Sequence, residues 1–145
     1  MEKEIAKYSN CFVCGLDNPI GLKLRFFSDG QITRTQYRPT AVHEGYKGIT
    51  HGGIIATILD EVMIKAALAL DIYCVTAQME LRFRAPVPVG TELLFEGEIT
   101  ERKGRIIITR GLARDRDGVI YAEAIGKYMT VSPEMEARLL ESLDP

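Results

Sequence analysis

The chain has 145 residues, 46% of them hydrophobic, and a formal net charge of −2. That suffices for one globular domain with a sizeable core and excludes a disordered chain. The near balance of 18 basic and 20 acidic residues argues against a dedicated nucleic-acid binder, which concentrates Lys and Arg on one face to neutralise phosphates.

The start, Met1-Glu-Lys-Glu-Ile5, is charged and no apolar segment follows it. No apolar run approaches the ~20 residues that a membrane span needs. A soluble, cytoplasmic protein without membrane partners is the expectation. Three cysteines, Cys11, Cys14 and Cys74, make an odd number, so reduced thiols are expected rather than a disulfide framework. Cys11-Phe-Val-Cys14 has the spacing of a zinc half-site. With no second such pair, a full site would have to borrow from His43, His51 or a partner chain. Nor does the pair sit between a strand and a helix, as a redox motif would. The expectation is a tight loop over residues 1–21 with no metal.

Leu22–Phe27 and Gln31–Tyr37 read as two extended segments joined by Ser28-Asp29-Gly30, a hairpin signal. From Gly52 to about Leu70 the pattern becomes helical, with apolar residues at Ile54, Ile55, Ile58, Leu59, Val62, Met63, Ala66, Ala67 and Leu70. A helix apolar over most of its circumference must be wrapped by other structure. Val75, Ala77, Met79, Leu81 and Phe83 then alternate with Thr76, Gln78, Glu80, Arg82 and Arg84, which predicts a strand with one apolar and one polar face, ended by Pro86 and Pro88. Strands follow over Leu93–Thr100, Ile106–Ala113 and Val119–Val131, separated by turns at Arg102-Lys-Gly104 and Asp115-Arg-Asp-Gly118. Ser132-Pro133-Glu134 reads as an N-cap with proline at the first helical position, opening a short C-terminal helix over residues 132–143. The inventory predicts an α+β fold in which an antiparallel sheet of six strands curls around one long central helix, as a single domain over 1–145.

The chemistry concentrates where the helix begins. Gly52 and Gly53 leave the first backbone N–H groups unobstructed at the positive end of the helix dipole, suited to an oxygen that gains negative charge. His51 precedes them as a cap or loop-orienting residue. Asp60 lies nine residues after His51 in the apolar run. It has no cation three or four residues away, so burying it is costly without a function; its plain structural alternative is a hydrogen bond to Thr57. Glu61 stands four residues before Lys65, a favourable helical ion pair, and as the neighbour of Asp60 it is also a candidate substrate contact.

The segment His51-Gly-Gly-(x)6-Asp60, with this order of elements, resembles the hotdog-fold acyl-CoA thioesterases of the PaaI-like group. Cys11-Phe-Val-Cys-Gly-Leu-Asp-Asn-Pro-Ile-Gly21-Leu-Lys resembles the start of one branch of that superfamily. The resemblance implies that the Gly52 amide polarises a thioester carbonyl and that Asp60 is the catalytic acid, acting as base or nucleophile. It puts Thr76 where relatives carry a hydroxyl that orients water, although a structural strand threonine fits equally. Some relatives carry Asn or Gln at the position of Gly45. Here glycine cannot grip a carbonyl, which leaves His43 or Glu44 to reach in, or the helix amides alone. Arg82 and Arg84 are candidates for the phosphates of coenzyme A, which enters as part of the substrate; no other cofactor is implied.

Nine helical residues separate His51 from Asp60 by ~13 Å. One carbonyl cannot touch both ends of that span, so the two groups must come from different chains. This predicts a homodimer with two composite sites, and the resemblance adds a possible homotetramer. Two alternatives stand: dehydration or hydration of an acyl thioester, and an acyl-CoA-binding module without turnover.

Overall fold

The computed structural model describes residues 1–143 of the chain; 144 and 145, the end of the expected domain, lie outside the described residues. Seven strands form one antiparallel sheet: β1 (Lys3–Glu4), β2 (Phe27–Ser28), β3 (Ile32–Tyr37), β4 (Cys74–Phe83), β5 (Leu93–Lys103), β6 (Ile106–Arg114) and β7 (Ile120–Thr130). Their spatial order is β1-β2-β3-β5-β6-β7-β4. Helix α1 (Gly52–Leu68) packs across the inner face, and α2 (Pro133–Glu141) closes the described chain.

The α+β wrap agrees with the sequence pattern, with two corrections. The strand expected over Leu22–Phe27 shrinks to the two-residue β2, because Lys23 takes a left-handed φ of 55°. The backbone there serves the N-terminal loop instead, Leu22 N–H donating to Phe12 O at 2.8 Å and Leu24 N–H to Val13 O at 2.9 Å. The seventh strand is β1, whose two residues pair with β2 and are too short to show any alternation.

Helix α1 carries the core. Ile58, Leu59, Val62, Met63 and Ala67 are fully buried against Leu93, Phe95, Ile107, Ala113 and Tyr128 of the sheet. Burying each large aliphatic side chain contributes about 1.5–3 kcal/mol. The helix ends in a Schellman motif, Ile72 N–H bonding to Ala67 O at 3.0 Å and Asp71 N–H to Leu68 O at 2.9 Å, with Asp71 left-handed at φ 58°. Ser132 caps α2 as expected, its hydroxyl accepting from Met135 N–H at 3.2 Å.

Helix and sheet approach closely at Gly97 of β5. A Cβ there would stand 2.6 Å from Val62 O and 2.9 Å from Val62 C. Since backbone cannot yield as a flexible side chain can, Gly97→Ala is expected to cost about 2–4 kcal/mol of stability. A urea midpoint lowered at unchanged slope checks it.

Strand β4 is an edge of the sheet. It is exposed over most of its length, with Val75 at 42% and Phe83 at 52% relative exposure. Its register against β7 shifts between Thr76 and Gln78, so Ala77 is a bulge. Strict alternation puts Thr76 on the same face as Glu80 and Arg82; the extra residue turns it toward the helix instead.

Candidate active site

The loop before α1 is fixed from both sides. Thr50 N–H donates to Val87 O at 2.8 Å, and His51 N–H donates to His43 O at 2.8 Å. His51 then takes the extended conformation of an N-cap, φ −60° and ψ 130°, and its Nδ1 accepts from Gly53 N–H at 2.8 Å. That uses one orphan amide of the helix start and holds the imidazole by its own helix. Gly52 N–H has no hydrogen-bond partner among the described residues. It lies at an exposed position, with the Phe83 ring 3.6 Å from where a Cβ would stand.

Asp60 sits two turns along α1, partly buried. Its Oδ1 accepts from Tyr128 Oη at 2.7 Å and from Thr76 Oγ1 at 3.0 Å. No donor among the described residues reaches Oδ2. The carboxylate is therefore held by one oxygen and presents the other. Tyr128 is fully buried; burial and the adjacent Asp60 charge push its phenol up, so it remains a donor. The local alternative for Asp60 is not formed, because Thr57 Oγ1 donates to Gly53 O at 2.7 Å.

The structure thus brings Asp60 and Thr76 together and adds Tyr128, which no sequence motif marks. It belongs to the inward alternation of β7, where it reads as one more core aromatic. Gly52, Gly53 and His51 stand together at the helix start, separate from Asp60. His43 borders them, its Nδ1 2.8 Å from Tyr37 Oη; burial raises Tyr37 to about 12.

Glu61 turns away from Asp60. It lies 3.8 Å from Lys65 Nζ, as the helical spacing predicts, and accepts from Cys11 Sγ at 3.5 Å. Burial pushes its carboxyl up to about 7, Cys11 adding to the rise and Lys65 opposing it. The neighbouring Cys14 thiol lowers that of Cys11 from its ordinary range, with burial opposing the shift. The third group at the cysteine pair is therefore Glu61, not His43 or His51. Arg82 is exposed in an open groove with Arg110, Glu80 and Glu123, on the sheet face opposite Asp60. Arg84 Nε donates to Glu123 at 2.6 Å.

A sheet wrapped on a central helix, with a free amide at the helix start and a clamped carboxylate on the helix body, is the hotdog architecture. Residues 47–122 match the family model of the Thioesterase superfamily, and the chain belongs to that family. It is similar to acyl-coenzyme A thioesterase THEM4 of Xenopus laevis, 28% identical over 98 residues, which cover 67% of this chain and 44% of that protein. The chain spans about half the length of the curated relatives it matches first. A crystal structure of a thioesterase superfamily protein superposes with a TM-score of 0.78 at 28% identity, covering 83% of this chain and 60% of the other. The PaaI protein of the E. coli phenylacetic acid degradation operon shares the fold at a TM-score of 0.67 and 16% identity, over 70% of this chain and 78% of its own. No helix among the described residues is long and apolar enough to cross a membrane.

Proposed function

We propose that the chain hydrolyses an acyl-CoA thioester to the free acid and coenzyme A, in a homodimer whose two sites each combine Gly52 of one protomer with Asp60 of the other. The observation that carries this reading is the Asp60 carboxylate, pinned at Oδ1 by Tyr128 and Thr76 with Oδ2 left open. Such a group is oriented either to take a proton from water or to attack the carbonyl itself. The Gly52 amide, at the positive end of α1, receives the charge that develops on the carbonyl oxygen. Thr76 and Tyr128 hold the carboxylate in place, and His51 keeps the helix start open.

The helix rise of 1.5 Å per residue separates Gly52 from Asp60 by roughly 12 Å. That span supports two antiparallel helices across a two-fold axis. The exposed outer edge of β4, unpaired among the described residues, supports a partner there, since a long bare edge is a ready pairing template. Arg82 lies on the sheet face opposite Asp60 and Arg84 is paired with Glu123, so neither is assigned to the coenzyme phosphates. The hydrolysis asks for no cofactor. The dehydratase alternative wants an imidazole beside the acid, whereas Nδ1 of His51 is engaged by Gly53 N–H.

The test is thiol release from short, medium, long-chain and aryl acyl-CoAs. Turnover of at least one is expected; ligand binding with no turnover of any would replace the enzyme with a binding module. A second variant measures the clamp. Tyr128→Phe removes the 2.7 Å donor to Asp60 and is expected to lower kcat about tenfold with KM little changed, at about 1–3 kcal/mol of stability. Steady-state kinetics and a urea titration read the two effects separately.

A further inference from the structure

We propose that Cys11, Cys14 and Glu61 form a zinc site that pins the N-terminal loop to helix α1. Sγ of both cysteines and a carboxylate oxygen of Glu61 all lie within 4.8 Å of one another. With zinc–sulfur near 2.3 Å and zinc–oxygen near 2.0 Å, a tetrahedral angle separates the sulfur and oxygen ligands by about 3.5 Å. The Cys11 Sγ to Glu61 Oε2 distance is 3.5 Å. The donors already stand along the edge of the tetrahedron that the metal would impose, although they come from segments 50 residues apart.

The loop is shaped to hold both sulfurs on one side. Gly15 N–H donates to Cys11 O at 2.9 Å, closing the turn. Val13 N–H points at Cys11 Sγ from 3.4 Å, the kind of backbone donor that steadies a thiolate bound to a metal. A Cβ on residue 15 would fall 2.4 Å from Cys11 N and 2.6 Å from Cys11 O, so this turn admits only glycine. Cys14 is buried and Cys11 half-buried, so a fourth ligand such as water would reach the ion from the Cys11 side.

Charge points the same way. Two thiolates and one carboxylate around a divalent ion leave one net negative charge, costly to bury unless it is paired. The Lys65 side chain is 1% exposed, and its ammonium lies 3.8 Å from Glu61. It is anchored by the carbonyl of Ala6 and lies over the rings of Tyr8, at 5.2 Å, and Phe26, at 5.7 Å. A buried ammonium in that place neutralises the loaded site. Soft thiolates with one carboxylate suit zinc over magnesium or calcium, which take all-oxygen shells. The site is separate from the carbonyl chemistry, and its test does not depend on turnover.

The full-length chain is reduced, given one equivalent of zinc chloride, desalted and analysed for metal by mass spectrometry. About one zinc per chain is expected. Cobalt loaded in place of zinc should show the intense thiolate-to-cobalt band and the visible bands of a tetrahedral ion. Glu61→Gln keeps the side-chain shape and is expected to weaken zinc retention by about tenfold or more. Cys11→Ser with Cys14→Ser should abolish retention in a protein whose circular dichroism is unchanged. Wild-type protein that emerges without metal and with both thiols free overturns the proposal. So does bound cobalt lacking the thiolate band, which would place the ion elsewhere. The cobalt spectrum of the wild type decides the matter even where the double variant fails to fold.

Discussion

Asp60→Asn is expected to lower thioester hydrolysis by about a thousandfold or more while leaving the fold intact, because it replaces the carboxylate oxygen that no donor among the described residues engages, the one the proposed reaction uses as base or nucleophile. The substitution is informative because of how the carboxylate is held. Both hydroxyl donors, Tyr128 Oη at 2.7 Å and Thr76 Oγ1 at 3.0 Å, go to Oδ1. The amide oxygen of asparagine can accept both, so the amide nitrogen takes the place of Oδ2. A stability change within about 1 kcal/mol should accompany the loss, since no buried donor is left unpaired. Thiol release measured beside a thermal melt separates the two. Wild-type turnover in the variant would remove Asp60 from the chemistry, and a collapsed melt would make the carboxylate a structural group.

How much of this is legible in the sequence depends on how far apart the partners lie. The helix from Gly52 shows itself because its apolar residues recur at local spacing and nothing distant is needed to read them. The Glu61 to Lys65 pair is legible for the same reason, lying four residues apart on one helix. The contact of Glu61 with Cys11 spans 50 residues and that of Tyr128 with Asp60 spans 68. Neither leaves a periodic trace. Tyr128 in particular sits in β7 as one more inward aromatic, and only the fold shows that its hydroxyl ends on a carboxylate.

Thr76 shows a different limit. Alternation places a strand residue correctly until a bulge inserts one position. The shift of β4 against β7 between Thr76 and Gln78 leaves no mark in the alternation of β4. The short β1 and β2 are illegible because two residues cannot show a period of two. Cys11 and Cys14 show their spacing but hide the third group, so the metal question turns wholly on where α1 passes the loop.

Gly52→Pro tests the other half of the site with little disturbance to the helix. Proline suits the first helical position, where its missing N–H has no intrahelical partner to lose. The residue before it must be extended, and His51 already is, at φ −60° and ψ 130°. An added Cβ meets only the Phe83 ring, at an ordinary 3.6 Å. The variant therefore deletes one amide donor and almost nothing else. If that amide holds the developing oxyanion, kcat should fall about a hundred- to a thousandfold, with KM changing far less. Co-refolding Gly52→Pro with Asp60→Asn then asks whether the site is shared between chains. If it is shared, one site of a mixed dimer carries both lesions and the other carries neither. Random pairing makes half of the dimers mixed, so about a quarter of wild-type turnover should return from two nearly inactive parents. If mixed dimers form and no activity returns, Gly52 and Asp60 do not meet across an interface. The amide would then have to be replaced as oxyanion donor by a group nearer Asp60 on its own chain.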